Sequence, residues 1–237
     1  MSKRIIFVDL DETLWHSTTA MWLNRSFLLP DELIADSRAE RDLRDKIEKE
    51  AKRLLNEKGL VEGTFEFERS IHDTKNEVVS DLAIKRGWKE FWFGEGEAYL
   101  TKLRPKALEF LKAISKLGEL HVCTSSTTEY ATLIIKTFKL DQFFKTISAR
   151  ENIKSYEVFN LEGIKSWVLV DDLHPSEESI SRKMRFISGA QGGRNTWEEA
   201  KNRVVRVPEF LGNPMDDGLM DIVEEVEKRL CEMELKK

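Results

Sequence analysis

Two carboxylates, Asp9 and Asp11, stand two residues apart directly after a short apolar run that begins at Arg4 and ends at Val8. The run is rich in β-branched residues, which is typical of a fully buried strand, and Asp9 falls where that strand would end. In a parallel α/β sheet, ligands bind at the carboxyl ends of the strands. The sequence therefore predicts a polar site at the end of the first strand.

Two further predicted strands also end in oxygen-rich turns. The stretch "HVCTSS" brings Thr124 to the end of one strand, and "VLVDDLHPS" brings Asp171 and Asp172 to the end of another. In a parallel sheet these side chains would converge with Asp9 and Asp11 at one edge. Grouped carboxylates repel one another unless a cation holds them, and carboxylates with carbonyl oxygens and water suit Mg²⁺. We therefore expect a Mg²⁺ site at this edge.

Taken singly, these residues have simpler interpretations. Asp9 and Asp11 could be turn or cap carboxylates, and Asp171 and Asp172 could cap the next helix. Thr124 alone is an ordinary residue for a strand end. Their occurrence together at three strand ends favours a functional site.

The elements that would position these residues alternate regularly from residue 102 onwards. A helix with Pro105 in its first turn and Gly118 as its stop leads to the strand "ELHVC". The remaining predicted elements are a helix in "STTEYATLIIKTFKL", a strand in "SWVLV", a helix in "SEESISRKM", strands in "RFIS" and "VVRV", and a helix in "GLMDIVEEVEKRLCEME". Such alternation indicates βαβ units and an α/β fold with a mostly parallel sheet.

Residues 17–101 interrupt this pattern directly after the first strand and are dominated by charged helical sequence. We expect one amphipathic helix that ends at Gly59 and a second over roughly Asp73 to Lys89. An aromatic group follows, which we expect to form a small local core: Trp88, Phe91, Trp92 and Phe93. The predicted division is a catalytic core of 1–16 and 102–237, with a helical, cap-like insertion of 17–101.

Five stretches together resemble a known family: "VDLDETLWHS", "RPKALEFL", "CTSSTTEYA", "VLVDD" and "VVRVPEFLGNPMDDGLMDIVEEVEKRL". They are similar to the haloacid dehalogenase (HAD) superfamily, and within it to the phosphatases of the RNA polymerase carboxy-terminal domain and their small relatives. The resemblance covers residues 4–16 and about 103–230. It implies a Rossmann-like HAD core and a phosphatase, since a second Asp in the DxDxT motif marks the phosphate-transferring members.

By this resemblance, Asp9 would be the nucleophile that attacks phosphorus and forms an aspartyl-phosphate. Asp11 would be the general acid for the leaving oxygen and then the general base for the attacking water. Alternate residues that leave a strand end can aim one carboxylate at phosphorus and the other at the leaving group. Thr124 would hydrogen-bond a phosphoryl oxygen.

The resemblance also implies Mg²⁺ as the cofactor. Asp9 and the backbone carbonyl of Asp11 would bind the ion. Asp172 would be a further ligand, because the family's ligand tends to be the second residue of the acidic pair. Asp171 would be its neighbour or alternate.

A lysine is expected to neutralise charge on the phosphoryl group. Lys154 lies about as far before the acidic pair as the family's lysine does, with one residue extra. Lys165, just before the strand, is the alternative, and we prefer Lys154.

Other chemistries fit the sequence less well. Cys123 suggests a cysteine-dependent phosphatase with a C-x5-R loop, but the residue six positions on is Glu129, an anion where that class needs an arginine. The four histidines have no metal-ligand spacing. We therefore expect Cys123 to be a buried strand residue.

Composition limits the class of protein. The 237 residues are 41% hydrophobic, which is enough for a full α/β core and a smaller second unit. No apolar run approaches the ~18–20 residues of a membrane span, and no signal-peptide pattern is present, so we expect no membrane association and a cytoplasmic or otherwise intracellular location. The net charge of −5 offers no overall basic surface for nucleic acid.

Two substrate classes stay open. The resemblance implies phosphoserine or phosphothreonine in a protein, whereas insertions at this place in other HAD branches form caps over small substrates. A small phosphorylated metabolite or nucleotide is therefore the alternative, and a non-catalytic phospho-binding protein is the third hypothesis. A binding protein has no need of Asp11, which favours an enzyme.

Overall fold

The computed structural model describes residues 3–19, 37–92, 98–155, 158–189, 201–212 and 215–235. It divides into two compact units. The first consists of Met1–Trp15, Arg104–Phe210 and Met215–Lys237, and the second of His16–Leu103 and Leu211–Pro214.

The strands and helices lie in the following places. The strands are β1 (Lys3–Val8), β2 (Trp15–Thr19), β3 (Lys89–Trp92), β4 (Ala98–Leu103), β5 (Glu119–Cys123), β6 (Phe144–Ser148), β7 (Ile164–Asp171) and β8 (Val204–Arg206). The helices are α1 (Ser37–Glu57), α2 (Phe65–Lys85), α3 (Ala107–Ile114), α4 (Thr128–Thr137), α5 (Arg150–Lys154), α6 (Glu178–Ser188), α7 (Gly218–Asp221) and α8 (Val223–Leu235).

The first unit is built on a five-stranded sheet with the strand order β6-β5-β1-β7-β8. All four of its strand pairs are parallel. The central strands β1 and β7 are buried because apolar side chains cover both faces. This arrangement confirms the predicted α/β fold with a mostly parallel sheet.

Helix α6 packs an apolar stripe of Ile180, Met184 and Ile187 into the core beside β1 and β7. It continues through Ser188 and ends at Gly189, which has a left-handed backbone with φ 70°. The predicted strand "RFIS" is therefore wrong, since those residues form the last turns of this helix. Phe186 and Ile187 continue the apolar stripe of the helix. A short apolar run does not by itself show whether it belongs to a strand or to a helix.

The second unit contains two long helices and a small sheet. Helices α1 and α2 pack together through a shared apolar core that includes Leu43, Ile47, Val78 and Val79. The three strands have the order β2-β4-β3, with β3 and β4 antiparallel. The insertion predicted as helical therefore contains two long helices and, in addition, strands that the sequence analysis did not predict.

The predicted aromatic core is confirmed in part. Trp88 and Phe91 are buried, whereas Trp92 is 63% exposed. Phe93 lies outside the described residues. The second predicted helix begins at Phe65, earlier than expected, because the hydroxyl of Thr64 accepts a hydrogen bond from the Phe67 N–H and caps the helix. Among the described residues, no helix has both the length and the apolar character needed to cross a membrane.

A buried arginine fixes the turn after β1. Arg104 is 1% exposed, and its guanidinium donates to both carboxylate oxygens of Asp216, at 2.9 and 3.1 Å. It also donates to the carbonyl oxygens of Thr13 at 3.2 Å and Pro208 at 2.8 Å, and it lies over the ring of Phe210. One side chain therefore joins the turn that follows Asp9 to the segment that follows β8.

Replacing Arg104 by methionine should lower the free energy of unfolding by about 3 kcal/mol, because Asp216 and two carbonyl groups lose their donors. Urea denaturation measures the change. Arg53→Met is the matched control, since Arg53 pairs with Glu50 and Glu57 on an exposed helix surface. An equal loss in both variants would contradict a special role for Arg104.

Candidate active site

The register of the sheet brings three strand ends to one edge. Val8 lies opposite both Val122 and Val170 in the two neighbouring strands. The Asp9 N–H donates to the carbonyl oxygen of Val170 at 2.9 Å, which continues the pairing one residue further. Asp9 and Thr124 therefore directly follow β1 and β5, and Asp171 is the last residue of β7, so all three lie at the same edge.

A buried cluster of carboxylates occupies this edge. Asp9, Asp171 and Asp172 each offer a ligand atom, and these atoms lie within 4.8 Å of one another. Burial raises the pKa of Asp171 to about 7 and that of Asp172 to about 6, with the charge of Asp9 as a further cause in both cases. Burial also raises the pKa of Asp9. Each carboxylate is thus costly to ionise unless a cation is close.

Lys183 supplies one such cation from α6. Its ammonium lies 2.7 Å from Oδ1 of Asp9 and 2.7 Å from Oδ2 of Asp171, and the residue is 1% exposed. Burial lowers the pKa of Lys183, but the charges of Asp171 and Asp9 outweigh it and raise the pKa overall. The lysine therefore stays charged between the two carboxylates.

The sequence contained a signal for Lys183 that the motif comparison missed. Lys183 lies three residues after Ile180 and four before Ile187, on the apolar face of α6. A charged residue inside a buried stripe requires a partner, so its position could have indicated the acidic cluster.

The two lysines proposed from sequence have different settings. Lys154 is exposed at the end of α5, and within the described part of the chain it forms no ion pair with the clustered aspartates. Lys165 lies in β7, and its side chain is outside what the structure describes. The described lysine that contacts Asp9 is Lys183.

The oxygens of the acidic pair are engaged differently. Asp171 uses Oδ2 for Lys183, and its Oδ1 accepts from the Leu173 N–H at 3.0 Å. Asp172 accepts from the hydroxyl of Thr13 through Oδ1 at 3.1 Å, and among the described residues it forms no ion pair with Lys183. Asp172 is therefore better placed than Asp171 to offer an oxygen to a metal ion.

Thr124 and Asp11 stand beside the carboxylate cluster. Thr124 is buried, and its Oγ accepts a hydrogen bond from the Ser126 N–H at 3.2 Å. Its hydroxyl proton can therefore be directed to a bound anion. The carboxylate of Asp11 is half-buried and accepts hydrogen bonds from the hydroxyls of Ser126 and Tyr130.

Cys123 is a buried strand residue, as the sequence predicted. Its side chain is fully buried, and burial raises the pKa of the thiol well above its ordinary value. A thiol in this state is a poor nucleophile. The nucleophile candidates at this edge are therefore the carboxylates.

Comparison with known proteins adds a family. A model described as NLI interacting factor-like phosphatase matches residues 70–234, which is more than half of the chain. The matched region contains Thr124, Asp171, Asp172 and Lys183 but not Asp9. No curated protein matches the chain significantly.

The solved structures that match the chain have low sequence identity to it. One match is a variant of the fission yeast RNA polymerase II CTD phosphatase Fcp1 bound to beryllium fluoride, which is 18% identical. The match covers 100% of this chain and 51% of the Fcp1 chain, with a TM-score of 0.42. A structure of Fcp1, described as an essential RNA polymerase II CTD phosphatase, is 18% identical. The match covers 100% of this chain and 50% of the Fcp1 chain, with a TM-score of 0.43. A HAD-superfamily hydrolase from Geobacter sulfurreducens is 15% identical. The match covers 95% of this chain and 100% of the hydrolase chain, with a TM-score of 0.40. The chain spans about half the length of the Fcp1 chains.

Proposed function

Because the chain belongs to the NLI interacting factor-like phosphatase family, we propose that it is a Mg²⁺-dependent phosphomonoesterase that works through an aspartyl-phosphate. The observation that carries the proposal is the buried group of Asp9, Lys183, Asp171 and Asp172 at the sheet edge, with Thr124 and Asp11 beside it. A carboxylate nucleophile, an anion-binding hydroxyl and a second acid are the groups that phosphoryl transfer needs.

Two half-reactions follow from these groups. In the first, an oxygen of Asp9 bonds to phosphorus, the bond from phosphorus to the leaving oxygen breaks, and Asp11 gives that oxygen a proton. In the second, water bonds to phosphorus as Asp11 takes its proton, and the bond to Asp9 breaks. Lys183 fixes the nucleophile through Oδ1 of Asp9 and places its charge beside the phosphoryl group. We therefore assign to Lys183 the role that the sequence prediction gave to Lys154.

The charges of the cluster fit a divalent cation. Asp9, Asp171 and Asp172 carry three negative charges when ionised, and the cation that contacts them among the described residues is Lys183. Two negative charges are thus left in a buried site, and carboxylate oxygens are the donors that Mg²⁺ prefers. Asp9, Asp172 and the Asp11 carbonyl would hold the ion, with Asp171 fixed by Lys183. When bound, Mg²⁺ neutralises charge on the transferring phosphoryl group.

We extend the proposal to phosphoserine and phosphothreonine in proteins as the substrate class. Its support is the resemblance of the DxDxT, "CTSS" and "VLVDD" motifs to phosphatases that act on a phosphorylated tail. A panel of phosphopeptides, sugar phosphates and nucleotides tests it. A large preference in kcat/KM for the small phosphates would favour the alternative substrate class.

The reaction itself is tested with p-nitrophenyl phosphate, with and without Mg²⁺. Asp9→Asn should reduce kcat at least about 10³-fold, because the covalent route requires an ionised carboxylate. The wild-type protein quenched during turnover should gain the mass of one phosphoryl group on the peptide that contains Asp9. Turnover by Asp9→Asn at the wild-type rate, or no turnover by the wild-type protein with any divalent metal, would contradict the proposal.

A further inference from the structure

We infer that Tyr130, together with Trp15 and Ser126, positions the carboxylate of Asp11 for proton transfer to the leaving group. This inference rests on the proposed function, in which Asp11 is the general acid. Trp15 and Tyr130 donate hydrogen bonds to Oδ1 of Asp11, and Ser126 donates one to Oδ2. They act through Asp11 and are therefore positioning residues.

A tight turn after β1 places Trp15 against Asp11. The Leu14 N–H donates to the Leu10 carbonyl oxygen at 2.8 Å, and the Glu12 N–H donates to the Trp15 carbonyl oxygen at 2.7 Å. Glu12 has a left-handed backbone with φ 59°, which reverses the chain. The indole of Trp15 is fully buried, and its Nε1–H donates to Oδ1 of Asp11 at 2.8 Å.

The start of α4 supplies the other two donors. Thr127 caps this helix by accepting a hydrogen bond from the Tyr130 N–H, which puts Ser126 just before the helix and Tyr130 in its first turn. The Tyr130 hydroxyl donates to Oδ1 of Asp11, and its oxygen lies 3.3 Å from the donor Nε1 of Trp15. The Ser126 hydroxyl donates to Oδ2 of Asp11.

Donors on both oxygens restrict rotation of the Asp11 carboxylate about its side-chain bond. The same loop also orients Thr124, because the Ser126 N–H donates to its Oγ. A general acid contributes about 10²–10⁴-fold only when it lies within hydrogen-bond reach of the leaving oxygen. Loss of orientation should therefore affect substrates whose leaving group needs a proton more than those whose leaving group does not.

The test measures kcat/KM with three substrates of different leaving group: p-nitrophenyl phosphate, phenyl phosphate and O-phosphoserine. The parameter kcat/KM reports the step that expels the leaving group, and p-nitrophenolate leaves without a proton. Tyr130→Phe should lower kcat/KM for O-phosphoserine about tenfold, because the hydroxyl donates to the carboxylate that forms as Asp11 gives up its proton, and should leave p-nitrophenyl phosphate within about threefold of the wild type. Ser126→Ala, a second variant without the Oδ2 donor, should show the same pattern.

Two controls separate positioning from structure. Tyr99→Phe makes the same chemical change in β4 and should leave all three substrates at the wild-type rate. In an Asp11→Asn background, Tyr130→Phe should have no further effect on the dependence on leaving group. An equal fall for all three substrates in Tyr130→Phe would overturn the inference, because a structural defect does not distinguish leaving groups.

The outcome for Asp11→Asn tells the two proposals apart. If Asp11→Asn itself loses no more activity on O-phosphoserine than on p-nitrophenyl phosphate, then the proposed function of Asp11 fails. If Asp11→Asn shows the selective loss and both Tyr130→Phe and Ser126→Ala do not, then the function stands and the positioning inference is wrong.

Discussion

Lys183→Met should remove measurable phosphatase activity and lower the free energy of unfolding by about 3–5 kcal/mol, the range for breaking a buried ion pair by removing one partner. The ammonium is almost fully buried and lies 2.7 Å from an oxygen of both Asp9 and Asp171. Without it, two buried carboxylates lose their cation, and Asp9, the proposed nucleophile, loses the group that fixes it. Turnover of p-nitrophenyl phosphate and urea denaturation measure the two effects.

A double variant separates the effect on stability from the effect on catalysis. Lys183→Met combined with Asp171→Asn removes both the cation and one buried anion, so part of the lost stability should return. Activity should not return, because Asp9 still lacks its ammonium partner. Recovery of activity in the double variant would show that Lys183 serves folding alone.

Lys154→Met is the matched control, since Lys154 is exposed and lies on a short helix of the same unit. This variant should have the same free energy of unfolding as the wild type and should turn over substrate at the same rate. The opposite result, an inactive Lys154→Met and an active Lys183→Met, would restore the lysine preferred from sequence and contradict the assignment made from geometry.

The meeting of Asp9 with the acidic pair was predictable because it depends on sheet topology. Parallel strands joined by helices present their carboxyl ends at one edge, so side chains that follow "IIFV" and "SWVLV" must lie close once those strands are neighbours. The register of Val8 opposite Val170 produces this closeness. Strand type and direction were sufficient for the prediction, and no side-chain detail was needed.

The lysine that contacts Asp9 was not predictable by the same reasoning. Lys154 was preferred on its distance along the chain from the acidic pair, and such a distance carries no information on which way a helix faces. Lys183 depends instead on the rotation of α6, which the apolar stripe of Ile180, Met184 and Ile187 fixes. Dividing that helix into "SEESISRKM" and a strand "RFIS" concealed the stripe.

The small sheet was missed for a related reason. Strands β3 and β4 are short, and Lys89, Glu90, Thr101 and Lys102 give them polar and charged residues of no clear alternation. Antiparallel pairing to each other supplies their hydrogen bonds, so tertiary context outweighs weak strand propensity. Charged sequence of this kind is easily assigned to helices.

Without metal, the acidic cluster should make stability fall as the pH rises, and bound metal should weaken this dependence. Without metal, burial raises the pKa of Asp171 to about 7 and that of Asp172 to about 6, both above the ordinary value of 3.8. The folded state therefore holds these protons more tightly than the unfolded state does. This contribution to stability is fully present below about pH 3.8 and is lost as the pH rises through about 6 and then about 7. The melting temperature in EDTA should accordingly fall between pH 5 and 8, measured against Asp172→Asn at the same pH.

Saturating Mg²⁺ should offset this loss of stability. At a metal concentration of about 100 times Kd the folded state gains about 2.7 kcal/mol, which raises the melting temperature by about 5–10 °C for a chain of this size. The gain should be larger at pH 8 than at pH 5, because protons compete with the metal for the carboxylates. Asp172→Asn should lose most of the gain, and Asp141→Asn, which changes an exposed aspartate of the same unit, should keep it. A rise in melting temperature that is equal at both pH values, or one that Asp172→Asn retains in full, would place the metal at other ligands than this cluster.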